Sequence, residues 1–574
     1  MRQRLIKLKF MNKIIFLSTF IFISLNVFSQ QEFTEAERSK YHMNSPEEFN
    51  TSYRTRSFNS TPPPSNGTRS IAEFEPNQGV IISYPYNFAI PYTLISELSQ
   101  YVKVYVVCSS FLQSNVSNNL QNNGVNMENI EFITAPIDSE WTRDFSPIFI
   151  EYSEDNKIGI VDFPYNRPNR INDDNLPIVL GDYWGLEVFG MNLVHTGGNY
   201  MTDGLGIAAS CDLVYTENPN LDQEEVKILA KDYLGIENYH LVNDPLNDYI
   251  EHIDCWGKFL AVDKILITRV PANDPRYAEF EAMADYWANQ TTSYGNKYKV
   301  YRTNWMMDKN AYTNSLIMNN KVFVAFNTGA AGAFNDDAAA VYEEAMPGYE
   351  IIGIEYNKWY STDALHCRTH EVPDFEMLKI IHQAYIDEVD FQESYIFKAD
   401  VYSFNNSNSV NEVKLIYSIN NGDFLEMEME NISNKTYATS LDFLSEGDEI
   451  RYYIQAKDSR PKTENLPYIG QDDPFTFRII NSTKNSEISI NQYIKAYPNP
   501  ATDILYFISN DIPNDDYTIE IYNQFGQIIK TLNIKITNID WKISGIDISD
   551  LNSGLYSIIA KSKKEIFSSK FIKL

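Results

Sequence analysis

Near Asp374 the hydrophobic pattern of this chain changes period, and the two patterns demand different folds on either side. From Ile71 to Pro373, short apolar runs are separated by polar helical stretches and by Gly, Asn and Pro turns. The runs are Gly79 to Tyr84, Val102 to Cys108, Ile158 to Phe163, Ile265 to Val270, Lys321 to Phe326 and Ile351 to Tyr356. Strand-length runs alternating with helices such as Pro219 to Tyr233 predict an α/β domain over 71–375. Beyond it the period is two. Val413 to Ile419 and Phe424 to Met429 alternate around the turn signal Asn421-Gly422, and Glu449 to Ala456 adds a strand. A small all-β, immunoglobulin-like sandwich over 376–480 is the expectation.

At 574 residues the chain is too long for one core, so further modules are expected. Arg2, Arg4, Lys7, Lys9 and Lys13 precede an apolar run that begins at Ile14 and reaches Phe28-Ser29, the pattern of a secretory signal over 1–29, with Met11 as an alternative start. No other stretch is long and apolar enough to read as a membrane span. Residues 30–70 are polar and carry Thr61-Pro62-Pro63-Pro64-Ser65, which reads as an extended or disordered leader or a pro-segment. A Ser/Asn/Lys linker over 481–495 leads to a last small β domain, 496–574. Without the signal the chain has 42 basic against 77 acidic residues, a formal charge of -35, because the signal holds five basic and no acidic residues. Such a surface repels nucleic acid and attracts cations, arginine-rich peptides among them.

Four cysteines in an exported chain allow three disulfide pairings. Cys108 ends the run Val104 to Val107 and reads as a buried strand residue, as do Cys211 and Cys255. Cys367 differs, with His366, Arg368 and His370 around it. Upstream stand Trp141-Thr142-Arg143-Asp144, His195-Thr196-Gly197-Gly198-Asn199 and Glu251-His252-Ile253-Asp254. One nucleophile, one proton carrier and two carboxylates scattered this widely are how a site gathered by folding looks in sequence.

A cysteine protease has no use for two carboxylates aimed at substrate. A guanidinium does need them, because it is planar, cationic and presents five N–H donors. Its central carbon resists attack, and a thiolate is the strongest side-chain nucleophile near neutral pH. Cys367 would attack, His252 would protonate the departing ammonia, and water activated by His252 would resolve a covalent thiouronium. No phosphate-cradling loop, zinc spacing or EF-hand appears; the chemistry requires no cofactor, and a structural calcium or sodium ion among the many Asp residues stays open.

With Ala72-Glu73-Phe74-Glu75-Pro76 near the start, the set resembles the agmatine deiminase branch of the guanidine-modifying pentein enzymes. Within that branch it is most similar to the secreted bacterial peptidylarginine deiminases, which likewise carry a signal, a catalytic domain, an immunoglobulin-like domain and a sorting domain. The resemblance implies a catalytic domain of five pseudosymmetric ββαβ units, an α/β-propeller. It implies guanidinium clamps at Asp144 and Asp254, an acid and base at His252, a nucleophile at Cys367, and Asn314 as the polar residue beside that pair. Trp141 would wall the slot. An Arg-x-Arg pair grips the carboxylate of a C-terminal arginine in the peptidyl enzymes; here Asn166-Arg167-Pro168-Asn169-Arg170 matches at Arg167, while Arg170 is displaced by one residue. The expected partners are arginine-containing peptides or proteins, with agmatine or free arginine as the alternative substrate and an inert surface adhesin as the alternative from another class. Residues 496–574, with Ala496-Tyr497-Pro498-Asn499-Pro500 and Gly554-Leu555-Tyr556, closely resemble the C-terminal sorting domain of type IX secretion. That implies the secretion machinery as a partner and a secreted or cell-surface destination.

Overall fold

The computed structural model describes residues 58–481, except 66, 168, 248–249, 307–308 and 461, together with parts of 492–574. The expected export signal, leader residues 30–57 and most of the linker lie outside the described residues. The chain divides into two compact units, one ending at Ile479 and one spanning Ile480–Leu574.

Five small sheets make up the chain up to Pro373, each built from an antiparallel pair, a crossover helix and a parallel third strand. The second unit runs Ile148–Tyr152, Lys157–Asp162, helix Leu176–Trp184, Glu187–Gly190. The third runs Met201–Thr202, Ile207–Cys211, helix Gln223–Leu234, Asn238–Val242. The fourth runs Gly257–Ala261, Lys264–Arg269, helix Tyr277–Ala288, Lys299–Asn304. The fifth runs Leu316–Met318, Lys321–Phe326, helix Asn335–Ala345, Glu350–Glu355. The first unit takes its outer strand, His370–Pro373, from the far end of the domain and pairs it with Asn77–Ser83; helix Tyr92–Leu98 and strand Lys103–Cys108 follow, and Ile130–Thr134 adds a fourth strand.

Local chemistry explains the punctuation. Asp222 caps the third unit's helix in a reciprocal box with Glu225, and Gly235 ends it in the left-handed region at φ 69°. Parallel strands joined by a crossover helix bury both faces, which is why Val80, Ile81, Ile82 and Val104, Val106, Val107 are all buried in unbroken runs. Thr61, inside the segment expected to be an extended or disordered leader, is held in place: its N–H donates to the Gly190 carbonyl, and its Oγ1 accepts from the Gly190 N–H.

Past Pro373 the chain enters two antiparallel sheets. One orders Leu378–His382, Tyr395–Ser403, Thr436–Leu441 and Glu430–Ser433; the other orders Asp387–Asp390, Phe475–Ile480, Glu449–Asp458, Val410–Ile419 and Leu425–Glu428. Phe397 of the first meets Tyr452 of the second at a ring separation of 4.8 Å. The hairpin signal at Asn421-Gly422 reads true, with Asn420 and Asn421 at φ 53° and 59° between Val410–Ile419 and Leu425–Glu428. In the C-terminal unit the central sheet pairs Asp516–Asn523 with Ile528–Lys535 and Gly554–Lys561, and Ile566–Lys573 with Gly554–Lys561, over a core containing Leu505, Ile519 and Ile558. Among the described residues no helix is long and apolar enough to cross a membrane.

Candidate active site

The chemistry-bearing blocks fall at equivalent places: the turn that leads into the first strand of a unit. Thr142–Phe145 precedes the second unit, Gly197–Asn199 the third, Ile253–Cys255 the fourth, and His366–Arg368 the strand that completes the first. Asn314 sits in the corresponding turn before the fifth. Single helical turns leave most of their backbone groups without intrahelical partners, so their side chains and main chains are free to be tied to one another.

Asn314 organises the turn at Cys367. Its Oδ1 accepts from the backbone N–H groups of His366 at 2.9 Å and Cys367 at 3.2 Å, while its Nδ2 donates to Cys367 Sγ at 3.2 Å. The Asp254 carboxylate lies beside the sulfur, with Oδ2 3.9 Å from Sγ. A hydrogen bond from the Cys255 thiol pulls the Cys367 pKa down, but burial and the carboxylates of Asp254, Asp363 and Asp144 outweigh it, so the thiol titrates above its ordinary value and is protonated in the empty site.

His252 and Asp144 form the opposite side, with Nδ1 3.5 Å from Asp144 Oδ1. Burial, with Arg167 and His195 adding to it, lowers the His252 pKa to about 3 against the pull of Asp254, so its imidazole is neutral. Burial and the nearby Asp254 raise the Asp144 pKa to about 7 although Arg167 and Arg170 oppose them. Asp144 Oδ1 and His252 Nε2 are buried without a hydrogen-bond partner. Two such atoms on adjacent side chains are costly to leave unmatched, and they are what an N–H-rich cation would satisfy. The paired glycines follow from this packing. A Cβ on Gly198 would lie 2.5 Å from His252 Nδ1 and 2.6 Å from Asp144 Oδ1, and one on Gly197 would strike the Arg143 carbonyl.

Trp141 is fixed by its indole N–H, which donates to Asp363 Oδ1 at 2.9 Å; the same carboxylate takes Arg368 Nε at 2.8 Å and Nη2 at 2.7 Å. Arg170 lies over the Trp141 ring at 5.0 Å and reaches Ser139 Oγ and Tyr165 Oη at 3.4 Å. Arg167 is buried on the same side, close enough to Asp144 and Glu217 to influence both. Asp144, His252, Asp254, Asn314 and Cys367 are thus gathered in one place, with Trp141, Arg167 and Arg170 along the Asp144 side.

Two readings of the sequence change. Cys255 is no strand residue: it sits in the turn beside Asp254, its Sγ 3.6 Å from Asp254 Oδ1, whereas Cys108 and Cys211 do end strands. All four cysteines are free thiols, so no disulfide pairing applies. Arg143 pairs with Glu371 at 2.5 Å. His195 is packed against Phe163 and Tyr200, its pKa lowered by burial to about 4. His370 and His382 bond to the Pro147 and Lys398 carbonyls. Among the described residues no group of three or more His, Cys, Asp or Glu is placed to hold a metal ion. The sequence reading missed Glu73, which contacts His366 and Lys258; the only signal was its place in Ala72-Glu73-Phe74-Glu75-Pro76.

Comparison with known proteins agrees in kind. A Legionella pneumophila protein bearing the name agmatine deiminase is 27% identical over 267 residues, 43% of this chain and 75% of its own length. A Yersinia pseudotuberculosis counterpart is 23% identical over 287 residues, 43% of this chain and 77% of its own. Among solved structures, the Enterococcus faecalis agmatine deiminase overlaps 54% of this chain and 97% of its own at 19% identity and TM-score 0.48, and that of C. jejuni overlaps 54% and 96% at 18% and 0.45. Residues 495–574 match the secretion system C-terminal sorting domain, which marks the chain for type IX export to the cell surface or beyond. Residues 69–373 match the Porphyromonas-type peptidyl-arginine deiminase over more than half of the 574 residues, and the chain belongs to that family of enzymes acting on guanidino C–N bonds.

Proposed function

We propose that the protein hydrolyses the guanidino group of arginine in peptides or proteins to citrulline, releasing ammonia. The observation that carries this reading is the pair of buried carboxylates, Asp144 and Asp254, beside a neutral His252 and an Asn314-bound Cys367. A bound guanidinium places its N–H donors against Asp144 and Asp254, and its charge offsets the carboxylates that hold the thiol proton on. The proton passes to His252 as Cys367 Sγ bonds to the guanidino carbon. His252 returns it to the leaving nitrogen, the C–N bond breaks, and ammonia departs from a thiouronium. Water, losing a proton to His252, then adds to the same carbon. The C–S bond breaks, the ureido product leaves, and the proton returns to the sulfur.

Two features favour a peptide over agmatine. Agmatine ends in an ammonium, while Arg167 and Arg170 lie close enough to Asp144 to lower its pKa, so the slot's surroundings repel a second cation and suit a carboxylate or a neutral peptide. The sorting domain also points the enzyme outward, where peptides rather than cytoplasmic polyamine precursors are met. An amino-terminal export signal over 1–29 and an immunoglobulin-like module over 376–480 complete the architecture we propose.

The test is mass spectrometry of a mixed arginine-peptide library incubated with the mature chain, beside a rate on agmatine. Citrulline in the peptides, with agmatine slower, is the expected result. Turnover of agmatine alone would reassign the substrate, and host-protein binding without citrulline would leave only an adhesin.

A further inference from the structure

His366 stands next to the nucleophile yet faces away from the slot. Its Nδ1 is 2.7 Å from Asp254 Oδ2, a buried contact, and its Nε2 is 3.0 Å from Glu73 Oε2, a partly buried one. The ring therefore bridges two carboxylates, one at each nitrogen. Glu73 is itself anchored from two further units. Lys258 Nζ meets its Oε2 at 2.6 Å, and the Ile317 N–H donates to its Oε1 at 2.7 Å. Burial would raise the Glu73 pKa, but Lys258 and His366 win and hold it well below the ordinary carboxylate range. The charged and titratable groups around His366 are Asp254, Glu73, Lys258, Arg143, Glu371 and His370, and Arg143 is neutralised by Glu371.

We infer that Glu73 and His366 are positioning residues for the deiminase reaction: Glu73 holds the His366 ring, which in turn fixes the Asp254 carboxylate beside Cys367. The inference rests on the deiminase reading and adds two groups to it. Neither residue touches substrate; each acts through Asp254 and Cys367. It also gives a role to the acidic residue of Ala72-Glu73-Phe74, far in sequence from the chemistry it serves.

The experiment uses the full mature chain with His366→Gln and Glu73→Gln. Three quantities are read for each: kcat and KM on an arginine peptide and on agmatine, the pH profile of Cys367 alkylation by iodoacetamide, and the thermal midpoint. His366→Gln is expected to lower kcat about 100-fold, by disturbing both clamp and nucleophile, with a smaller rise in KM. It should also move the alkylation profile upward by about one pH unit, because Asp254, freed of its hydrogen bond to the ring, bears its charge more fully on the sulfur. Glu73→Gln should shift both readouts the same way, with about a tenfold loss of kcat. Folded variants with kcat within about threefold of the parent and an unmoved alkylation profile overturn the inference. If His366→Gln does not accumulate as folded protein, Glu73→Gln decides alone. If the parent turns over no guanidine at all, the functional reading fails, while the alkylation profiles still decide whether the ring tunes the thiol.

Discussion

The segment Ala72–Pro76 carries two carboxylates, Glu75 buried and Glu73 partly so, that point to opposite fates. Glu75 is saturated. Its Oε1 accepts from Arg69 Nη1 at 2.6 Å and the Ala72 N–H at 3.1 Å, and its Oε2 from Arg69 Nη2 at 3.1 Å and Lys379 Nζ at 2.8 Å. Burial raises its pKa, but Arg69 and Lys379 outweigh that and set it at about 2. Lys379 lies on strand Leu378–His382, so this cluster ties the catalytic half to the sheets beyond it. Glu73 leads instead to Asp254 and a cluster in which Asp144 Oδ1 and His252 Nε2 have no partner. Both regions bury charge. The one whose hydrogen-bonding capacity is used up is structural, and the one with capacity left over is prepared for a ligand.

Four experiments break or sharpen that contrast. Cys367→Ala should abolish ammonia release from arginine peptides, a loss of about 10⁴-fold or more on the scale of removed nucleophiles, without unfolding the chain; an ammonia assay checks it, and undiminished turnover removes the contrast altogether. Gly198→Ala drives a methyl between His252 and Asp144 and should lower kcat/KM about 100-fold, the usual consequence of misplacing catalytic groups by an ångström, with the thermal midpoint little changed.

The third concerns pH. Asp144 must be ionised to hold a guanidinium, and its folded pKa is raised from 3.8 to about 7, so kcat/KM should fall about tenfold per unit below pH 7 and level off above it. The stability contribution has the opposite slope. Between 3.8 and about 7 the folded state keeps a proton that the unfolded state releases, so this group favours the fold less as pH rises through that window. Asp144→Asn should remove the acid limb along with most of the activity. The smallest effect on catalysis is expected from Lys379→Met, which strips one cation from Glu75: stability should drop by about 3 kcal/mol, read as a lower thermal midpoint, while kcat stays within about twofold. A loss of activity without a loss of stability would mean that the saturated cluster also serves the site.

Much of the fold was legible because local period dictates it. Lys321–Phe326 matches its apolar run at both ends, and Asn77–Ser83 and Lys264–Arg269 are offset by no more than two residues. Period alone did not show the five-unit arrangement, which the family resemblance supplied, since Met201–Thr202 is too short to show any period and the first unit pairs His370 with Ile81, 289 positions earlier. At the site, residue types pointed to Asp144, His252, Asp254 and Cys367, which the fold brings together. The partners of those residues stayed hidden. Nothing local in Glu73 indicates that it meets His366, 293 positions on, or in Cys255 that it lies against Asp254 rather than in a strand. Such contacts are set by how the entry turns converge, which pattern and propensity do not encode.

The nucleophile and the last strand of the first unit occupy neighbouring positions, Cys367 on its turn and His370–Pro373 immediately after. A chain that is still being made or threaded through an export channel, with its segment near Pro373 not yet delivered, lacks both the sulfur and the strand that finishes the sheet. Reactivity therefore arrives together with closure of that sheet. A chain that stops short of Cys367 has no thiol at the site with which to act on a guanidino group.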